Sequence, residues 1–127
     1  MGPLNLLLDT HILLWWLAQD ARLTKRAQAA ITDADKVYVS AASAWEIAIK
    51  ITLGKLRAPD DLKIQMDASG FLELPISIAH AAAAGKLPPH HTDPFDRLLI
   101  AQAELESLTL LTSDRALKAY GDKVLFA

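Results

Sequence analysis

The chain contains no cysteine, which excludes disulfides, thiolate metal sites and cysteine nucleophiles. It has no excess of positive charge either: 13 Lys and Arg stand against 15 Asp and Glu, a net charge of −2 at pH 7. A protein that grips nucleic acid chiefly by neutralising phosphates is normally basic, so any such role here must rest on a local site. Long apolar runs are missing as well. The stretch Ile12 to Ala18 is far short of the roughly 20 residues that span a bilayer. The N-terminal apolar segment has no basic lead-in of the kind a secretory signal carries, and Asp9 interrupts it. These absences point to a soluble, cytoplasmic protein. What is present supports a core: 127 residues, 52% of them hydrophobic, suit one domain, residues 1–127, of common size.

No repeat, low-complexity tract or long linker divides the chain. Leu4 to Leu8 is a short apolar run ending in Asp9-Thr10, the pattern of a strand buried on both faces. His11 to Ala18 is apolar nearly all round and predicts a helix, and Thr24 caps a second one running to Ala34. Val37-Tyr38-Val39 is β-branched and aromatic, a short strand. Ser40 caps a helix that runs to about Leu53 and stops at Gly54. Pro59-Asp60-Asp61 opens another, ending near Ser69-Gly70. Phe71 to Leu74 is a third strand closed by Pro75, and Ile76 to Gly85 a further helix. Prolines make Leu87 to Thr92 a loop. Pro94 suits the first turn of a helix reaching Ser107. Leu108 to Leu111 is a strand, Ser113 caps a short helix, and Lys123 to Phe126 is the last strand. Strands alternating with helices predict parallel βαβ units, and the expected fold is a three-layer α/β/α sandwich with a mainly parallel central sheet.

In such folds ligands bind outside the carboxyl ends of the strands, where strand order reverses. Asp9 directly follows the first strand, and Asp114 follows Leu108–Leu111 after Thr112 and Ser113. Glu46 lies in the second turn of the helix after strand two, and Asp96 in the first turn of the helix at Pro94. Each has a plain structural reading. Asp9 and Asp114 suit turns or caps, Asp96 suits the positive end of a helix, and Glu46 can pair with Lys50 on one helix face. The coincidence of four acids from four segments on one rim is the signal. Converging carboxylates raise each other's pKa values unless a cation is present. Hard oxygen donors of this kind suit Mg²⁺ or Mn²⁺ and phosphoryl chemistry.

At these residues the sequence resembles the PIN-domain ribonucleases, in particular the VapC-like toxins of bacterial toxin–antitoxin pairs. The matching pieces are Leu6–Thr10 (LLLDT), Ser40–Ile47 (SAASAWEI), Asp93–Ala103 (DPFDRLLIAQA) and Leu111–Asp114 (LTSD), in the family's order along nearly the whole chain. The Asp93–Ala103 stretch is the most specific. The resemblance implies a PIN-like fold and a metal-binding quartet at Asp9, Glu46, Asp96 and Asp114. It further implies endonucleolytic cleavage of RNA, a homodimer, and an antitoxin partner that inserts a segment to block the site. The RNA target does not carry over.

Around the quartet several residues keep two readings. Asp93 adds a ligand or caps its helix. Thr10, Ser43 and Thr112 orient a water or a carboxylate, or bond to local backbone. His90 and His91 touch phosphate or sit in a solvated loop. Arg97 and Arg115 contact RNA or pair with carboxylates, and Lys50, Lys55, Arg57 and Lys86 form an RNA-facing rim or are scattered solvated charges. Trp15-Trp16, with Ile12, Leu13 and Leu14, supply more apolar surface than one helix face needs, for a partner interface or for the core. Two rival functions remain. A phosphoacceptor receiver domain needs adjacent acids after strand one and an Asp after strand three, where this chain has Asp9-Thr10 and Leu74-Pro75. A catalytically silent PIN-like binding module would keep the fold without the chemistry.

Overall fold

The computed structural model describes residues 3–57 and 61–127. Leu6, Leu7 and Leu8 are all fully buried, so the first strand, β1 (Asn5–Leu8), lies mid-sheet with both faces covered. Asp9 ends it and caps α1 (Thr10–Ala18), its Oδ1 accepting from the Ile12 amide at 2.8 Å. Helix α1 closes at Gln19, whose left-handed backbone (φ 52) lets its amide reach the Trp15 and Trp16 carbonyls. Then follow α2 (Lys25–Asp33), capped by Thr24, β2 (Lys36–Ser40) and α3 (Ala41–Thr52), capped by Ser40. Gly54, at φ +71, takes the turn after α3 at no steric cost. Asp61 caps α4 (Leu62–Ala68), and the Pro59-Asp60 start expected for this helix lies outside the described residues. The chain continues through β3 (Leu72–Leu74), α5 (Ile78–Lys86), α6 (Pro94–Leu105) and β4 (Thr109–Thr112), then a 3₁₀ helix (Arg115–Tyr120) and β5 (Val124–Phe126).

The five strands form one all-parallel sheet in the order β3-β2-β1-β4-β5. Because side chains alternate along a strand, Leu6, Leu8, Val37, Val39 and Leu111 join Ile12, Leu13, Ala27 and Ile31 on one face. Leu7 and Leu110 join Leu99, Ile100, Ala103 and Leu117 on the other. The result is the expected three-layer sandwich.

Several boundaries move, each for a local reason. Helix α5 starts at Ile78 rather than Ile76, because Ser77 and His80 make a reciprocal capping box. The short helix after β4 is capped by Asp114, whose side chain accepts from the Ala116 amide, and not by Ser113. Trp45 is 63% exposed. It points outward from α3 while Glu46, on the next position of the helix, turns inward.

Candidate active site

Strand order reverses between β1 and β4: the chain winds outward from β1 through β2 to β3, then returns to lay β4 on the other side of β1. Leu8 pairs with Leu111, so Asp9 and Thr112 emerge side by side at the carboxyl ends of adjacent strands. This is the crevice where open α/β sheets bind ligands. The Asp9 amide donates to the Leu111 carbonyl at 3.1 Å, extending the ladder by one bond. The Thr112 hydroxyl donates to Asp9 Oδ2, and its oxygen accepts from the Asp114 amide at 3.0 Å. Thr112, completely buried, thus fixes both Asp9 and the turn that carries Asp114.

Asp9 is itself buried. Burial pushes its carboxyl up, against the Thr112 and Ile12 hydrogen bonds and the His11 side chain, while the nearby Asp114 charge pushes the same way as burial. Asp96 behaves alike. Desolvation raises it to about 6, the His91 hydrogen bond opposes this, and the charges of Asp93 and Asp9 add to it. Asp9, Asp96 and Asp114 therefore lie close enough to feel one another.

Glu46 sits one hydrogen bond further out. Thr10 Oγ1 donates to Glu46 Oε1 at 2.7 Å and lies 3.0 Å from the Ser43 hydroxyl. Lys50 Nζ donates to Oε2 at 2.8 Å. Thr10 and Ser43 are both buried and form the link from the Asp9 cap to α3. The i,i+4 pair with Lys50 exists as expected, yet it belongs to a buried carboxylate and not to an ordinary surface pair.

Asp93 does the capping expected of it: Oδ1 accepts from the Phe95 and Asp96 amides at 2.9 and 3.0 Å. Arg97 corrects the sequence reading, because it neither pairs with a carboxylate nor points into the site. Its guanidinium donates to the carbonyls of Ala84 and Leu87 at 2.9 Å, His91 at 3.1 Å and Pro88 at 3.2 Å. It closes the end of α5 and ties the loop behind it to α6. Gln102 serves the same end, donating to the Pro75 carbonyl at 3.1 Å from a buried position. Arg115 stacks on Phe126 at 5.1 Å, and Lys55, Arg57 and Lys86 are exposed.

His91 is the residue whose place the sequence left undecided. Its Nε2 lies 2.8 Å from Asp96 Oδ2 and 4.0 Å from Asp114 Oδ2. Among the described residues, His91, Asp96 and Asp114 each offer a ligand atom within 4.8 Å of the others. Its position just before Asp93-Pro94-Phe95-Asp96 was the available signal. His90, by contrast, turns away to pack edge-on against Tyr120 at 5.1 Å. A groove of about 650 Å³, lined in part by Trp16, Leu23 and Ser69, is elsewhere. It lies beyond the far end of α1, about 10 Å along the helix from Asp9. Since acids, not volume, concentrate at the sheet's crevice, we place the chemistry there.

Buried carboxylates held above their ordinary pKa by desolvation and mutual repulsion suit a positively charged ligand, since a cation removes both penalties at once. An open parallel sheet with such acids at its switch point defines a class, the α/β proteins whose carboxylate crevice suits a divalent cation. Within that class the chain belongs to the PIN-domain family, whose sequence profile matches residues 6–123. It is 34% identical over 119 residues to Ribonuclease VapC22 of Mycobacterium tuberculosis, covering 91% of this chain and 92% of that protein. Its fold is similar to that of a toxin–antitoxin complex chain from Klebsiella pneumoniae, with a TM-score of 0.66, 21% identity and 94% of each chain covered. It is also similar to a chain of VapBC2 from Rickettsia felis bound to a promoter DNA fragment, with a TM-score of 0.67, 14% identity and 97% of each chain covered. Family membership sets aside the receiver reading, and the strand order agrees: receiver domains of the flavodoxin-like kind run 2-1-3-4-5.

Proposed function

We propose that this protein is a divalent-metal-dependent endoribonuclease, the toxin of a toxin–antitoxin pair. The observation that carries the reading is the pair Asp9 and Asp96: desolvated carboxyls at one crevice, both raised by burial, with the Asp9 charge adding to the rise at Asp96 and the Asp114 charge adding to that at Asp9. The 34% identity to a protein named as a ribonuclease supports RNA as the substrate. In this reading Asp9 and Asp96 hold the principal Mg²⁺ or Mn²⁺, and Glu46 and Asp114 complete or tune the site. Bound there, the cation supplies a more acidic water and charge stabilisation for the phosphodiester. The chain's own residues do the rest. Thr112 and the Ile12 amide fix the Asp9 oxygens, Thr10 and Ser43 orient Glu46, and the Asp93 cap sets the first turn that presents Asp96.

The structural relatives described as toxin–antitoxin complexes support an antitoxin partner. The apolar surface about Trp15 and Trp16, both only half-buried, is where we seat it. A homodimer is favoured by α3, whose outward face lines up Trp45, Ala48, Ile49, Thr52 and Leu53 at helical spacing, an apolar stripe of the kind that marks interfaces. No described helix is long and apolar enough to cross a membrane, consistent with action in the cytoplasm as one domain. The test is cleavage of total cellular RNA in Mg²⁺ or Mn²⁺ with 5′-end mapping, with EDTA and Asp96→Asn as controls. Discrete cuts bearing 5′-phosphates that vanish in both controls are expected. If RNA stays intact in every metal, Mn²⁺ titration separates a missing target from a silent binding module, which should bind no Mn²⁺.

A further inference from the structure

We propose that His91 is a nitrogen ligand to the cation of the carboxylate site, entering beside Asp96 and facing Asp114, and that it tilts the site toward Mn²⁺ over Mg²⁺. The inference rests on the metal-dependent reading and adds a donor that its four carboxylates do not include. Around an octahedral ion with bonds of about 2.1 Å, neighbouring donor atoms stand about 3 Å apart and opposite ones about 4.2 Å. His91 Nε2 stands 2.8 Å from Asp96 Oδ2 and 4.0 Å from Asp114 Oδ2, so small shifts would admit an ion between them. Among first-row transition ions Mn²⁺ binds nitrogen donors most weakly, but Mg²⁺ keeps to carboxylate oxygens and water, so an added imidazole favours Mn²⁺ by a modest margin.

The aim of the imidazole is built into the fold. His91 follows two prolines in a loop that has no strand or helix of its own. Yet Arg97 binds four carbonyls of the Ala84–His91 segment, and the Tyr120 hydroxyl donates to the Pro88 carbonyl at 3.0 Å. The segment carrying His91 is therefore fastened to α6, the helix carrying Asp96, by the residue next to Asp96. A merely solvated loop histidine needs no such anchoring. Arg97 is a positioning residue for His91. Of the remaining three histidines, His80 is buried against Glu106 and His90 packs on Tyr120, while His11 lies beside Trp15 and touches the site only through the effect of its charge on Asp9.

The test is electron spin echo spectroscopy of Mn²⁺ added to the full chain, which detects nitrogen bound directly to the ion. Nitrogen modulation is expected in the wild type and in His11→Gln and His90→Gln. His91→Gln should abolish it and weaken Mn²⁺ binding about tenfold, with a smaller loss for Mg²⁺. Arg97→Lys should reduce the modulation while leaving His91 in the chain. Mn²⁺ that binds through Asp96 but shows no nitrogen modulation, or modulation that survives His91→Gln, overturns the proposal and leaves the carboxylate site standing. Mn²⁺ binding that is absent, or indifferent to Asp96→Asn, overturns the carboxylate site and this inference with it.

Discussion

Replacing Asp96 with Asn should make the metal-free protein more stable while destroying its metal response. In the unfolded chain the Asp96 carboxyl takes its ordinary value of 3.8, and in the folded chain it sits at about 6. Below about pH 4 the group is protonated in both states and costs the fold nothing. The cost grows as pH rises between the two values and is complete above about pH 6, because ionisation in the folded state is the less favourable one. At about 1.4 kcal/mol per pKa unit the ceiling is about 3 kcal/mol. The side chain is 22% exposed, so solvent screens part of this. Asn also gives up the favourable charge at the N-terminal turn of α6; the His91 hydrogen bond is already contained in the rise to about 6. A net gain of about 1 kcal/mol remains, or about 3–5 °C in Tm for a domain of this size. Melting curves in EDTA at about pH 7.5 should show that gain, which should be mostly lost by about pH 4.5 and vanish below about pH 4. Mn²⁺ at roughly 100 times its dissociation constant should then add about 2.7 kcal/mol to the wild type and little to the variant. A variant less stable than wild type in EDTA, or a gain that persists undiminished at the lower pH, refutes the reasoning.

Four further outcomes are expected. Asp9→Asn keeps the α1 cap, since Asn serves as well there, and should lower RNA cleavage by at least about a hundredfold; cleavage at the wild-type rate removes Asp9 from the site. Thr112→Val leaves the Asp9 oxygen and the Asp114 amide without their partner. It should cost about 1–3 kcal/mol in urea denaturation and lower activity together with it. Arg97→Ala should cost about 2 kcal/mol by loss of its carbonyl bonds and speed amide exchange around residues 87–92; unchanged exchange there rejects the clasp. Leu7→Ala, in the centre of the sheet at 0% exposure, should cost about 2–5 kcal/mol, measured by the same denaturation.

The parts of the fold that were legible in the sequence are those in which local pattern and tertiary role coincide. The Leu4–Leu8 run has the pattern of a strand covered on both faces, and Asp93-Pro94 that of a helix start. The acids were legible because strand ends are marked by the change from apolar to polar residues. Apolar identity alone does not say which way a helix face points: α3 buries Glu46 and leaves the neighbouring Trp45 mostly exposed. Arg97 was misread because its partners are backbone carbonyls, which no sequence pattern displays. Ser113 and Asp114 are both good caps, and Thr112 decides between them by holding the Asp114 amide. His91 was ambiguous because its meaning depends on the fastening of its loop, a property of residues 84, 87, 88 and 97 together.

The hydrogen bond from Thr112 to Asp9 joins residues 103 positions apart, and this separation bears on when activity can first arise. Closing so long a loop is entropically slow, and contacts of this kind form late in folding. During synthesis β1, β2 and β3 can assemble with their helices before β4 has left the ribosome. At that stage Asp9 lacks the hydroxyl that fixes it, and Asp114, which follows β4, has not reached the crevice. If these carboxylates are the catalytic ones, a nascent or prematurely terminated chain leaves the RNA around it uncut. On that reading the site is complete only when the fourth strand docks beside the first.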